Sequence, residues 1–185
     1  MKKIFIVPFT VLVSLILISR GICAGGDSAQ QAKFQLKSPA FHDGETVPDR
    51  YTCAGANINP GLIIANIPEK TKSLALIVDN PDAPEGVWVH WVVYNIHPDV
   101  KEIKEKSNPG IQGLNDFGRF RYQGPCPSDE KLHKYHFKVY ALDIELELLE
   151  GVIKSDVEQA MRGHILDQAE LVAVLQIKNI KTNDD

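Results

Sequence analysis

The chain has 185 residues, 44% of them hydrophobic and 24% charged, with a formal net charge of −4 at pH 7. That is the length of one domain with a sizeable core, in proportions ordinary for a soluble globular protein. The mild acidity excludes nucleic-acid binding by bulk electrostatics.

The amino terminus stands apart from that domain. Lys2 and Lys3 give a positive start, Ile4 to Ile18 is almost wholly apolar, and Ser19, Gly21 and Ala24 supply small residues after it. This pattern predicts a secretory signal peptide over 1–24, cleaved after Ala24. A membrane anchor is the alternative, but a spanning helix needs about 20 apolar residues. The run is shorter, so no transmembrane span is expected once the leader is gone. Cleavage removes Lys2, Lys3 and Arg20 and no acid, taking the net charge from −4 to −7. Arg20 and Ile22 before Cys23 do not fit a lipid-attachment site. The product is expected to be periplasmic or secreted. Residues 25–33 are small and polar and are expected as a disordered new terminus; 34–180 is expected as the one folded domain.

Export leaves two cysteines, Cys53 and Cys126. In an oxidising compartment an even pair reads first as a disulfide. Two buried free thiols are the other reading.

In chain order, Phe34-Gln-Leu-Lys37 alternates, His42-Asp-Gly44 is a turn, and Thr46 to Tyr51 is irregular. Asn59-Pro-Gly61 precedes an apolar run, Leu62 to Ile67. Leu74–Val78, Val87–Ile96 and Tyr135–Leu142 are the strongest strand candidates, rich in β-branched and aromatic residues. Leu171–Ile177 is the expected last strand. Helix is a minority: a short piece around Leu146 to Gly151, and a longer one capped by Ser155 with Glu158 at the capping-box position, running towards Gln168. Many short strands with Pro- and Gly-rich connections predict a mainly β fold, a two-sheet antiparallel sandwich with a few short helices, one near the C-terminus. The stretch from Asn108 to Leu132 is too long for a simple turn, and loops of that length are usually functional.

Two segments carry the chemistry. In Asn80-Pro-Asp-Ala-Pro84 the prolines restrict the backbone and aim the Asp82 carboxylate. Trp88-Val-His-Trp91 follows, with His90 between aromatic walls that desolvate its ring. The second segment runs from Gly124-Pro-Cys-Pro127 to His133-Lys-Tyr135. His133 and Tyr135 are two apart on a strand and share a face, whereas His136 lies on the other. Gly124-Pro125 lets backbone come close with no side chain in the way. Ring N–H groups, a phenol and backbone donors in a small apolar-walled pocket suit a phosphate or carboxylate head group. Trp88 has a place on that wall; Trp91 reads as core, and His164 beside Gly163 as a helix-end residue.

These segments resemble the phosphatidylethanolamine-binding protein family, also called the Raf kinase inhibitor protein family, and are similar above all to its small bacterial members. The matching text is Asn80–Pro84, Trp88–Asn95, Asp116-Phe-Gly118, Gly124–Pro127 and His133–Tyr135, with Tyr51–Gly55, Asn59-Pro60 and Met161–Leu166 in support. The resemblance spans Phe34 to Lys178. It implies a two-sheet antiparallel β fold with a small anion pocket for phosphate-like head groups such as phosphoethanolamine. Carried over by position, the ligand-binding set is Asp82, His90, His133, Tyr135, Asn80, Trp88, Gly124 and Pro125. Two departures stand out. The family usually has an acid where this chain has Asn80, with Asp79 displaced one residue earlier, and arginine where this chain has Lys134. The pocket is then expected to be less negative, and contacts at Lys134 less planar and bidentate.

The function expected is a non-catalytic binding protein for a small anionic ligand, with no cofactor and no metal. The alternative is a hydrolase or metal-dependent enzyme using Asp82, His90 and His133, two histidines and a carboxylate being able to hold zinc with an open position. Against it, the chain has no HExxH spacing and no Gly-x-Ser-x-Gly, and no third group orients Ser128 with His133. Asp116-Phe-Gly118 resembles a kinase signature but has no phosphate loop beside it, and reads in that respect as chance text in a turn. No protein partner is named by the sequence, and a homodimer is left open.

Overall fold

The computed structural model describes residues 32–177. The expected leader, residues 25–31 of the expected tail, and 178–180 lie outside the described residues.

Two antiparallel sheets face each other. In the smaller, β1 (Gln35–Lys37), β2 (Leu62–Ala65) and β5 (Glu102–Ile103) run in the order β1-β2-β5. In the larger, β3 (Ser73–Asn80), β4 (Trp88–Ile96), β6 (Ile111–Gln112), β7 (His133–Leu142) and β8 (Ile165–Leu175) run in the order β6-β4-β3-β7-β8. A helix, α1 (Lys154–Ala160), covers the outer face of the larger sheet.

β3 is the middle strand of the larger sheet and is buried along its whole length. Its unbroken apolar run follows from being covered on both faces. Leu74, Leu76 and Val78 point into the space between the sheets, against Leu62, Ile64, Trp91 and Phe137. Ala75 and Ile77 point the other way, against Val92, Tyr94, Val157 and Met161 under α1. Burying each of the larger aliphatic chains contributes about 1.5–3 kcal/mol. The two-residue period of the strand then sends the next two residues, Asp79 and Asn80, to opposite faces.

Three sequence-based expectations change. The helix starting near Ser155 does not reach Gln168; it ends at Ala160, and Ile165 begins β8, paired with β7 from Ile165↔Leu142 to Leu175↔His133. Gly163 sits at φ +82°, a turn that favours glycine and breaks the helical path. Ser155 is also not the cap: the Asp156 carboxylate accepts the Ile153 N–H at 3.0 Å, two residues out of the expected register. The segment Leu146 to Gly151 is not helical. Its backbone groups are taken by side chains of β4 instead: Asn95 bonds both the N–H and the C=O of Leu146, and Tyr94 donates to the Leu149 carbonyl.

Candidate functional site

At one end of the larger sheet, a cavity of about 180 Å³ opens between the ends of β3, β4 and β7 and two loops. Asn80, Trp88, His90, His133 and Tyr135 line it, with Phe117 and Cys126 from the loop expected to be functional.

His90 is buried. Its Nδ1 lies 2.6 Å from the Gln123 carbonyl oxygen. A carbonyl only accepts, so Nδ1 carries the proton and Nε2 keeps a lone pair. Burial pushes the imidazole below its ordinary range, while the Gln123 and Gly124 carbonyls and the carboxylates of Asp79 and Asp116 pull the other way. The ring stands edge-on to Phe117 and to Tyr135, with centroids 5.3 Å and 5.2 Å away.

His133 is held on both sides. The Asn80 amide is oriented by its own backbone: Oδ1 accepts the Asp82 N–H at 2.9 Å, so Nδ2 faces His133 Nδ1 at 3.0 Å and donates to it. The His133 ring proton is thereby placed on Nε2, which donates to Asp129 at 2.8 Å. That bond, followed by the Lys131 N–H, holds the Asp129 carboxyl below its usual range. Both nitrogens of His133 are spent on protein groups.

Tyr135 is fully buried, and its hydroxyl is the one buried side-chain polar atom among the described residues without a hydrogen-bond partner. Burial, then the charges of Asp82 and Asp129, push the phenol up, so it remains a donor at neutral pH.

Asp82, Gly124 and Pro125 stand around the cavity without lining it. The Asp82 carboxylate accepts the Lys134 N–H at 2.8 Å and ties the turn to the start of β7. Gly124 packs against the neighbouring backbone; a Cβ there would sit 2.1 Å from the Tyr51 carbonyl oxygen. Pro125 accepts the Cys53 N–H at 3.0 Å. Beside it Cys53 and Cys126 are joined, with Cα atoms 5.4 Å apart. The disulfide fixes the pocket-lining Cys126 to the turn after Tyr51.

Asp79 does not stand in for an acid at position 80. It enters the opposite face, buried, and bonds Lys138 at 2.8 Å and Lys154 at 2.6 Å, joining β3, β7 and α1. His136 pairs with Glu170 and His164 with Asp143, both away from the cavity.

Sequence reasoning missed four contributors. Asp129 fixes His133, and the Gln123 carbonyl fixes His90. The Asp116 carboxylate accepts the Val89 N–H at 2.7 Å and docks the loop on β4. Phe117 forms a wall, packing edge-on to Trp88 as well. The signal for the last two is Asp116-Phe-Gly118, which is more than chance text in a turn: its place is structural. The three residues of the enzyme alternative do not form one centre, because Asp82 is turned to Lys134. Among the described residues no group of three or more His, Cys, Asp or Glu is placed to share a metal ion.

The family model for phosphatidylethanolamine-binding proteins matches residues 37–176. The chain belongs to the phosphatidylethanolamine-binding protein family. It is 43% identical over 178 residues to a UPF0098 protein of Pyrococcus horikoshii, covering 91% of this chain and 88% of the relative. A crystal structure of a phosphatidylethanolamine-binding protein homologue from Chlamydia trachomatis superposes with a TM-score of 0.75 at 42% identity, covering 78% of this chain and 98% of that one. The structure of E. coli YbcL, described as a member of the mammalian family, gives 0.73 at 34% identity, covering 80% and 100%. Family membership accounts for the two-sheet fold and supports a binding role.

Proposed function

We propose that this chain is a non-catalytic binding protein whose 180 Å³ cavity holds the phosphate- or carboxylate-bearing head group of a small ligand. The Tyr135 hydroxyl carries this reading. A buried donor left without a partner costs about 1–3 kcal/mol, and proteins keep such groups where something else completes them. A ligand oxygen placed against Tyr135 and the free nitrogen of His90 does so. The cavity is the size of a head group, so the rest of a larger ligand would lie outside it. The leader pattern and the cysteine pair support the same activity in an exported compartment.

The test is an NMR titration of the mature protein with phosphoethanolamine. Amide signals of Trp88, His90, Phe117 and Tyr135 are expected to move together. Spectra unchanged at millimolar ligand would sink the reading.

A further inference from the structure

The buried polar side-chain atoms left to a ligand in this cavity are few, and they are of opposite kinds; exposed Ser128 at the rim adds a hydroxyl that can donate or accept. Tyr135 offers a proton. His90 offers a lone pair on Nε2, because the Gln123 carbonyl has claimed the proton of the neutral ring on Nδ1. His133 offers neither, since Asn80 and Asp129 occupy both its nitrogens. No Lys or Arg is among the residues that line the cavity, and Glu85 at its rim is an acid.

A phosphate dianion fits this set poorly. It would bring two negative charges into a site with no cation, and its oxygens, all acceptors, would face the lone pair of Nε2. A monoester carrying one proton fits. Its P–OH donates to His90 Nε2, and a charged oxygen accepts from Tyr135. We propose that the pocket selects phosphate monoesters in their singly protonated, monoanionic form, binding one proton together with each ligand. This rests on the reading above and narrows it. The proton is counted once: whether it stays on the ligand oxygen or moves across to Nε2, the complex holds one more proton than the free dianion and the neutral ring.

The selection follows from where protons are available. A phosphate monoester loses its second proton at about pH 6. A carboxylic acid has lost its only proton well below that, with ordinary values of about 4. Sulfate carries none near neutrality. The neutral ring is favoured by burial. The charged and titratable groups around His90 are Asp79 on β3, Asp116 and Glu85 from the loops, and Tyr135 and His133 on β7, with Asp129 behind His133. The carboxylates among them all favour holding the extra proton. Asn80 is the residue that leaves this arrangement simple. Its amide donates to His133 Nδ1, so that with Asp129 at Nε2 both nitrogens are occupied.

The experiment is isothermal titration calorimetry of the mature protein with phosphoethanolamine at pH 6 and pH 8, each in two buffers of different protonation enthalpy. Sulfate and acetate serve as comparison ligands. From a second ligand pKa of about 6, affinity is expected to fall about fiftyfold between pH 6 and pH 8. About one proton is expected to be taken up per ligand at pH 8, and sulfate and acetate should bind at least tenfold more weakly at pH 6. His90→Gln can present an N–H to a dianion and should flatten the pH dependence. Tyr135→Phe should weaken binding while keeping the slope. Equal affinities at the two pH values with no proton uptake, or sulfate binding as tightly as phosphoethanolamine, would overturn this proposal and leave the anion pocket standing. Absence of any binding at both pH values, at millimolar ligand, would overturn both.

Discussion

Asp79 and Asn80 are neighbours on β3, and the two faces they enter use polar groups in opposite ways. On the outer face the Asp79 carboxylate is closed off by two lysines from β7 and α1. On the inner face Asn80 closes off His133, while the Tyr135 hydroxyl has no partner and the hydrogen bond of His90 to Gln123 is made through Nδ1. The first cluster is a clamp between elements. The second is an incomplete set of hydrogen bonds. A buried polar cluster that satisfies itself has nothing left for a ligand, and one left incomplete carries a standing cost that a ligand can remove.

The clamp is the more costly of the two to disturb. Replacing Lys138 and Lys154 together by methionine leaves Asp79 a buried carboxylate without a cation, a loss of about 3–5 kcal/mol. Urea unfolding should show it as a lower midpoint at unchanged slope. A loss below 1 kcal/mol would mean that Asp79 is better solvated than its burial implies. Next comes the covalent staple of the pocket loop. Cys53→Ser with Cys126→Ser opens a loop spanning 73 residues, and native disulfides of this kind contribute roughly 2–5 kcal/mol. The ligand site should loosen with it, since Cys126 lines the cavity. An unchanged affinity would place the ordering of that wall in the Cys53 N–H bond to the Pro125 carbonyl and the Gly124 N–H bond to Asn57 Oδ1 alone.

A smaller effect is expected from pH in the absence of ligand. Burial lowers the pKa of His90 in the folded protein below its unfolded value of about 6.5. Its contribution to stability is therefore fully present above that value. It is lost as the pH falls through the lower, folded pKa, because the unfolded chain then binds the extra proton. Melting curves between pH 7.5 and 5 should show a decline that is shallower in His90→Gln. Acidification should thus weaken the empty protein while strengthening its hold on a monoester, and opposite signs in the two measurements are the signature. The smallest change in stability is expected from Tyr135→Phe. Removing a hydroxyl that has no partner should cost less than about 0.5 kcal/mol or stabilise slightly. A loss above 1.5 kcal/mol would show that the hydroxyl is bonded in solution.

Much of the frame was legible in the sequence. β3, β4 and β7 are dense in β-branched and aromatic residues, and their burial follows from that pattern. β5 and β6 have two residues each, too short to carry a periodic signal. The start of β8 was hidden for a different reason. Val157, Ala160 and Met161 continue a helical spacing, and nothing local announces that Ile165 to Gln168 will pair with β7. The site was legible at His90, Trp88 and the His133–Tyr135 pair, whose strand register fixes their common face. Three facts depended on contacts between distant segments: Asp82 turned to the Lys134 backbone, the Asn80 amide locked by the Asp82 N–H, and Asp129 reaching His133. The expectation that the pocket is less negative with Asn80 in place of an acid accords with strand geometry, since Asp79, adjacent in the strand, faces the opposite way.

A larger cleft of about 780 Å³ runs beside β1 and β8, lined by Lys33, Lys37, Tyr140 and Glu170 among others. Size alone would favour it, and a crystal structure of the protein grown with phosphoethanolamine at pH 6 decides between the two. The phosphoryl group is expected in the smaller cavity, with oxygens within hydrogen-bond distance of the Tyr135 hydroxyl and His90 Nε2, and His133 still bonded to Asn80 and Asp129. A head group seated in the larger cleft, with the Tyr135 hydroxyl untouched, would contradict it.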